Sequence, residues 1–193
     1  AERLNQKIQE LLPEIDVVIF EDYDKGVITP EIIEETISSC KQRGIPTVVD
    51  PKKRNFLRYE GCSLFKPNLK ELKEGLKIEL PNNSIEDVKF AVRQLRKVMN
   101  VEASLITLSE LGVYITDYLD EFHIPAHKRE ISDVSGAGDT VVSIAALCLA
   151  SGMDLQQVAA IANLGGGLVC EHLGVVPIEK ERLVTEALKH YAK

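Results

Sequence analysis

The sequence predicts an α/β fold with a largely parallel sheet flanked by helices, and three observations predict it. Short apolar runs at residues 16–20, 46–49, 63–65 and 103–108 have the continuous hydrophobicity of strands buried on both faces. Between them lie stretches with apolar residues at helical spacing, so strand, loop and helix follow one another repeatedly. Lastly, Asp133-Val134-Ser135-Gly136-Ala137-Gly138-Asp139-Thr140 runs directly into the apolar stretch 141–150, a glycine-rich turn that opens a helix.

Taken in order, Leu4, Ile8, Leu11 and Leu12 form an amphipathic helix that Pro13 ends, and residues 16–20 make the first strand. Residues 21–26, Glu-Asp-Tyr-Asp-Lys-Gly, follow the carboxyl end of that strand, where open α/β sheets put their ligands. Their composition alone describes a solvated acidic loop. Thr29 caps the next helix with Pro30 in its first turn, and the helix runs through Ile32, Ile33, Thr36, Ile37 and Cys40 to a stop at Gly44. The strand 46–49 leads into Asp50-Pro51-Lys52-Lys53-Arg54, whose three cations form a solvated face or hold phosphate. After the strand 63–65, Asn68 and Glu71 have capping-box spacing at the head of a helix.

Ser84 starts a further helix through Val88, Val92, Leu95 and Val98, followed by the strand 103–108. Residues 109–112 turn the chain back into 113–116, an antiparallel strand expected at the margin of the sheet, and 122–125 is a weaker strand. Asp154 and Gln157 make another capping box, and the helix they launch is expected to run through His172. It is apolar nearly all round, with Asn163 as a polar exception that must find partners. Gly165-Gly166-Gly167 costs about 1 kcal/mol per residue relative to alanine in a helix, so it marks either close helix packing or a face against which a flat ligand lies. Residues 174–177 turn into an exposed helix over 179–190.

With 193 residues, 45% of them hydrophobic, the chain can bury one substantial core. A net charge of −7 and a pI near 5.2 argue against nucleic-acid or anionic-membrane partners. Cys40, Cys62, Cys148 and Cys170 lack metal-ligand spacing and read as buried free thiols of a cytoplasmic protein. Neither a leader nor an apolar run of about 20 residues is present, so no membrane partner is expected. His123, His127, His172 and His190 share no common spacing and are assigned to packing or surface roles.

The chemistry concentrates in residues 133–140. The amides of Gly136, Ala137 and Gly138 at a helix start form an anion cradle, because unpaired N–H groups meet the positive end of the helix dipole. Asp139 reads either as the N-cap of that helix or as a base that takes a proton from a substrate hydroxyl while the cradle holds a phosphoryl group. Asn68 and Glu71 read as a plain capping box or as groups that act through water on Mg²⁺ bound to ATP.

Residues 133–140 resemble, almost residue for residue, the C-terminal signature of the ribokinase-like sugar kinases, also called the phosphofructokinase-B family. Asn68-Leu69-Lys70-Glu71 is similar to that family's Asn-x-x-Glu element, and Thr107-Leu108-Ser109-Glu110-Leu111-Gly112 to its nucleotide loop. Residues 22–27, 49–52 and 123–126 look most like the heptose 7-phosphate kinase branch, often the kinase half of a bifunctional ADP-heptose synthase that supplies lipopolysaccharide precursor. The chain departs from that branch at Asp24, Ser135 and residues 165–167, where glycine, threonine and alanines are usual.

The resemblance implies Asp139 as catalytic base with Gly136, Ala137 and Gly138 as anion hole. It implies Asn68, Glu71, Thr107, Ser109, Gly112 and Asn163 at ATP, with Glu71 on Mg²⁺ through water and Asp133 near a monovalent cation such as K⁺. Lys25 and Lys52 become candidates for a substrate phosphate. It further implies that residues 1–193 are the C-terminal, nucleotide-binding part of a single kinase domain, without the N-terminal sugar-binding segment and its small sheet lid. The expected partners are ATP and a small sugar phosphate, and a homo-oligomer is expected. The alternatives are a non-catalytic nucleotide-binding regulatory module and a kinase of the same family acting on another sugar.

Overall fold

A computed structural model describes residues 2–191. Six strands form one sheet in sequence order: β1 (Val18–Glu21), β2 (Thr47–Asp50), β3 (Leu64–Phe65), β4 (Ala103–Thr107), β5 (Val113–Thr116) and β6 (Glu121–Ile124). The first four are parallel, and β5 and β6 join antiparallel. The antiparallel strand expected at the margin of the parallel strands is β5, buried throughout between β4 and β6, and β6, with alternate exposed positions, is the edge of the whole sheet.

Helices cover both faces. On one lie α2 (Pro30–Arg43), α3 (Leu69–Leu76) and α4 (Ile85–Val98), and on the other α5 (Ala137–Ala150) and α6 (Leu155–Val169). Alternation of side chains along each strand divides the core between the two layers. Val49, Phe65, Ile106 and Tyr114 join the first cluster, and their neighbours Val48, Leu64, Leu105 and Val113 join the second. Burial on both faces is why these strands read as unbroken apolar runs. The amphipathic α1 (Glu2–Leu11) and the exposed α7 (Lys180–Tyr191) flank this body, and neither holds a buried residue.

The helix starts follow local chemistry. Thr29 Oγ1 accepts the Ile32 N–H and Gly44 closes α2 at φ 69°, while Asn68, Ser84 and Asp154 each make a complete capping box. Three expectations change. The α6 helix ends at Val169 rather than His172, because Cys170 caps it and residues 171–174 turn away through Gly174 at φ 74°. The helix after the glycine turn begins at Ala137, four residues before its apolar stretch, with Gly136 as N-cap at φ 78°. And β1 and β2 each extend one residue further than their apolar runs, to end in Glu21 and Asp50, which stand side by side in register.

The glycine triplet packs α6 onto α5. A Cβ on Gly165 would lie 2.1 Å from Ile144 Cδ1, and one on Gly166 would lie 2.6 Å from Val141 Cγ2. Close helix packing, and not a ligand face, accounts for these two glycines. Cys40, Cys62, Cys148 and Cys170 are all free and buried, as expected. No helix among the described residues is long and apolar enough to cross a membrane.

Candidate active site

The carboxyl ends of β1, β2 and β3 meet the N-terminus of α5, and four charged side chains converge there. Glu21, Asp50 and Asp139 each bring an oxygen within 4.8 Å of the other two. Lys66, only 2% exposed and immediately after β3, stands 3.1 Å from Asp50 Oδ1. Its ammonium also lies 3.8 Å from where a Cβ on Gly138 would be, which sets a buried positive charge against the glycine turn. Such a charge lets Asp50, 6% exposed, stay in the sheet.

Glu21 responds most strongly to this crowding. Burial first, then the charges of Asp50 and Asp139, push its carboxyl up from 4.5 to about 7, against the opposing pull of Lys66 and Lys52. The acidic segment 21–26 is consequently not the solvated loop its composition describes. Asp22 is 4% exposed and accepts from the Tyr59 hydroxyl at 2.8 Å, the Asn55 amide at 3.0 Å and the Asp24 N–H at 2.8 Å.

Asp139 is the third residue of α5 and not its N-cap; that position belongs to Gly136, and no side chain caps the helix. Its Oδ2 accepts instead from the Tyr23 hydroxyl at 3.1 Å. That hydrogen bond, with the Asp139 charge, raises the Tyr23 phenol above its ordinary value. Within the turn, Ala137 N–H donates to the Val134 carbonyl at 3.2 Å, and Thr140 N–H to the Gly136 carbonyl at 2.9 Å. Among the described hydrogen bonds Ala137 N–H is engaged within the turn, whereas the N–H groups of Gly136, Gly138 and Asp139 have no protein acceptor. Asp133 braces it from outside. One carboxylate oxygen accepts from Ser135 N–H at 3.0 Å and Oγ at 2.8 Å, the other from Gly174 N–H at 3.0 Å, and these bonds lower its carboxyl.

Asn68 and Glu71 form the capping box expected from their spacing, with Asn68 Oδ1 accepting the Glu71 N–H at 2.8 Å and Glu71 Oε2 accepting the Asn68 N–H at 2.9 Å. Glu71 Oε1 accepts from Lys52 at 2.5 Å, and Lys52 also lies 3.6 Å from Asp50. Burial alone would lower the Lys52 ammonium; the bond to Glu71 and the charges of Asp50 and Glu71 raise it instead. Lys25 is exposed and makes none of the described ion pairs. The two lysines are thus not equivalent: Lys52 is anchored in the acidic cluster, whereas Lys25 stands on the loop above it.

Thr107 ends β4 and bridges to Asn68. Asn68, Thr107 and Ser109 line one hollow of about 900 Å³, together with Lys70 and Lys73; the glycine turn and Asp139 lie outside it. Ser109 has φ 53° and Gly112 φ 85°, and a Cβ on Gly112 would sit 2.1 Å from the Ile124 carbonyl oxygen. Gly112 therefore seats the loop against the end of β6. Asn163 is buried, and its amide donates to the Pro125 carbonyl at 2.9 Å, which satisfies it and ties α6 to the loop after β6.

The structure therefore brings Asp139, Gly138, Glu71 and Lys52 together around Asp50, holds Asn68, Thr107 and Ser109 on an adjoining wall, and leaves Asn163 on a neighbouring loop contact. Four participants were not singled out in the sequence: Glu21, Tyr23, Asp50 and Lys66. For three of them a signal exists, since each is a charged residue ending or directly following a buried strand at its ligand-facing end. Tyr23 lay in the segment 21–26 placed at the ligand end of the sheet, but nothing in it pointed to Asp139, which is 116 residues away.

The donor chemistry suits a divalent cation. The carboxylates offer hard oxygens, and Glu71, with both oxygens already engaged, would reach a cation through water.

The model of the pfkB family of carbohydrate kinases matches residues 1–181. A bifunctional protein HldE from Syntrophotalea carbinolica is 38% identical over 178 residues, covering 92% of this chain and 36% of that protein. Its counterpart from Caulobacter vibrioides is 43% identical over 165 residues, covering 84% and 34%. The chain thus spans about a third of the length of these curated relatives. Among solved structures, phosphofructokinase-2 from Escherichia coli in complex with potassium superimposes with a TM-score of 0.83 at 19% identity, over 95% of this chain and 60% of that one. Arabidopsis thaliana ribokinase complexed with ribose and ATP gives 0.80 at 19% identity, over 95% and 59%. These likenesses share the fold, and with the family match over nearly the whole chain they lead to one conclusion: the chain belongs to the pfkB family of carbohydrate kinases.

Proposed function

We propose that this chain is the nucleotide-binding and catalytic part of a kinase that transfers the γ-phosphoryl group of ATP to a sugar hydroxyl. The observation that carries the reading is Asp139 on the first turn of α5, beside open N–H groups and the buried Lys66 ammonium, at the carboxyl ends of the parallel strands. In-line transfer needs a base at the acceptor hydroxyl and positive charge around the moving phosphoryl group. Asp139 Oδ1 is available for the first task, and the Gly138 and Asp139 N–H groups with Lys66 for the second.

Mg²⁺ would supply charge neutralisation at the triphosphate, held through water by Glu71 and Asn68. The hollow walled by Asn68, Thr107 and Ser109 would accept part of the nucleotide. A monovalent cation would meet Asp133 at the loop that Gly174 and Ser135 brace. The relatives named HldE favour a sugar phosphate, and within this proposal heptose 7-phosphate at its anomeric hydroxyl, as acceptor, with exposed Lys25 and then Lys52 toward its phosphate. Buried free thiols suit a reducing cytoplasmic setting.

Asp139→Asn, in the whole gene product that contains this chain, is expected to lower kcat by roughly 10²–10⁴ while calorimetric Mg-ATP affinity stays unchanged. Wild-type turnover in that variant would overturn the base assignment. The coverage of about a third of the relatives favours a second reading for the chain in isolation, a module that binds nucleotide without turnover. Calorimetry with Mg-ATP beside a heptose 7-phosphate kinase assay on this chain separates the two.

A further inference from the structure

Tyr23 stands at the site, and phosphoryl transfer as proposed gives it no role. Its hydroxyl donates to Asp139 Oδ2 at 3.1 Å, yet the side chain is 60% exposed, so packing does not explain where it stands. The residues on either side of it are held firmly. Asp22 is buried under three hydrogen bonds, and Asp24, left-handed at φ 56°, pairs with Arg54 at 2.9 Å. The loop is a fixed mount, and Tyr23 is the side chain it extends to α5.

The other partner has little else to hold it. Asp139 is exposed on the first turn of α5, and the phenol is its only described side-chain hydrogen-bond partner. A free carboxylate there would sample several rotamers, and the repulsion from Glu21 and Asp50 would turn it away from the cluster. With Oδ2 engaged by the phenol, Oδ1 is the oxygen left to meet an incoming hydroxyl. An ordinary phenol stays protonated to about pH 10, so it remains a donor across the working range of a kinase.

We propose that Tyr23 is a positioning residue for the transfer, holding the Asp139 carboxylate so that Oδ1 faces the acceptor hydroxyl. This rests on the reading of Asp139 as the base. A misdirected base lowers turnover without loosening nucleotide, because orientation acts on the transition state.

The test is a double-mutant cycle in the whole gene product, with Tyr23→Phe, Asp139→Asn and the pair, assayed with Mg-ATP and heptose 7-phosphate. Tyr23→Phe should lower kcat roughly 10-fold, the scale of one hydrogen bond to a charged group, with the KM for ATP within about twofold. Its calorimetric Mg-ATP affinity should match wild type. In the Asp139→Asn background the same substitution should change kcat by less than about twofold, since its effect passes through the carboxylate. Wild-type kcat for Tyr23→Phe, or an undiminished 10-fold loss in the Asp139→Asn background, overturns the proposal. Loss of turnover in Asp139→Asn beside normal turnover in Tyr23→Phe sinks the Tyr23 role alone; normal turnover in Asp139→Asn removes the base and the positioning role together.

Discussion

Glu21 is a carboxylate that ends a buried strand, and its energetics differ from those of an exposed one. With its carboxyl raised from 4.5 to about 7, the native state keeps a proton between those values that the unfolded chain releases. Stability therefore falls as pH rises through that window and stays low above it. Glu21→Gln should flatten this slope: thermal melts from pH 5 to 8 should show wild type losing Tm toward pH 8 and the variant holding level. An equal slope in both would mean that other groups carry the dependence. Lys66 and Lys52 face Glu21 with opposing charge, so replacing Lys66 by Met should push the Glu21 carboxyl higher still. At the residue scale the cap reading of Asp139 falls away, since an N-cap accepts from its own helix and this side chain accepts from a tyrosine on another loop; the base remains a proposal.

At the scale of elements, the α5–α6 contact is a seam of small residues, and the glycine triplet divides by what each Cβ would meet. Gly166 faces the β-branched Val141 at 2.6 Å, a stiff neighbour, while Gly167 faces Arg129 Cδ at 3.4 Å, ordinary contact with a flexible chain. Gly→Ala gains about 1 kcal/mol of helix propensity at either position. Gly166→Ala is nevertheless expected to lose a net ~1–2 kcal/mol through overpacking, and Gly167→Ala to gain ~0.5–1 kcal/mol. Urea denaturation of the two variants checks this, and equal signs would refute the packing account. Because α5 carries Asp139 and α6 carries Asn163, the same seam sets the distance between the turn and the loop held at Pro125.

At the scale of the whole molecule, β1 is the sheet's first edge and carries Ile19, 37% exposed, while Leu4 and Leu11 of α1 are 39% and 43% exposed. An unpaired strand edge with apolar neighbours seeks a partner. Sedimentation velocity at rising concentration is expected to show association of this chain that Ile19→Lys suppresses; a single monomeric boundary throughout would count against it. The strand and helix order, the capping boxes at Asn68 and Asp154, the helix start at Ser84 and the glycine turn before α5 were all legible in the sequence, because each depends on neighbours within a few residues or on the periodicity of burial. The family resemblance was legible for the same reason, its motifs being contiguous. The assembly of Glu21, Asp50, Lys66 and Tyr23 around Asp139, the choice of close packing over a ligand face at Gly165 and Gly166, and the engagement of Asn163 by Pro125 were not. Those depend on strand register and helix docking, which join residues as far as 116 apart, and one residue of register decides whether two carboxylates stand side by side or point to opposite faces.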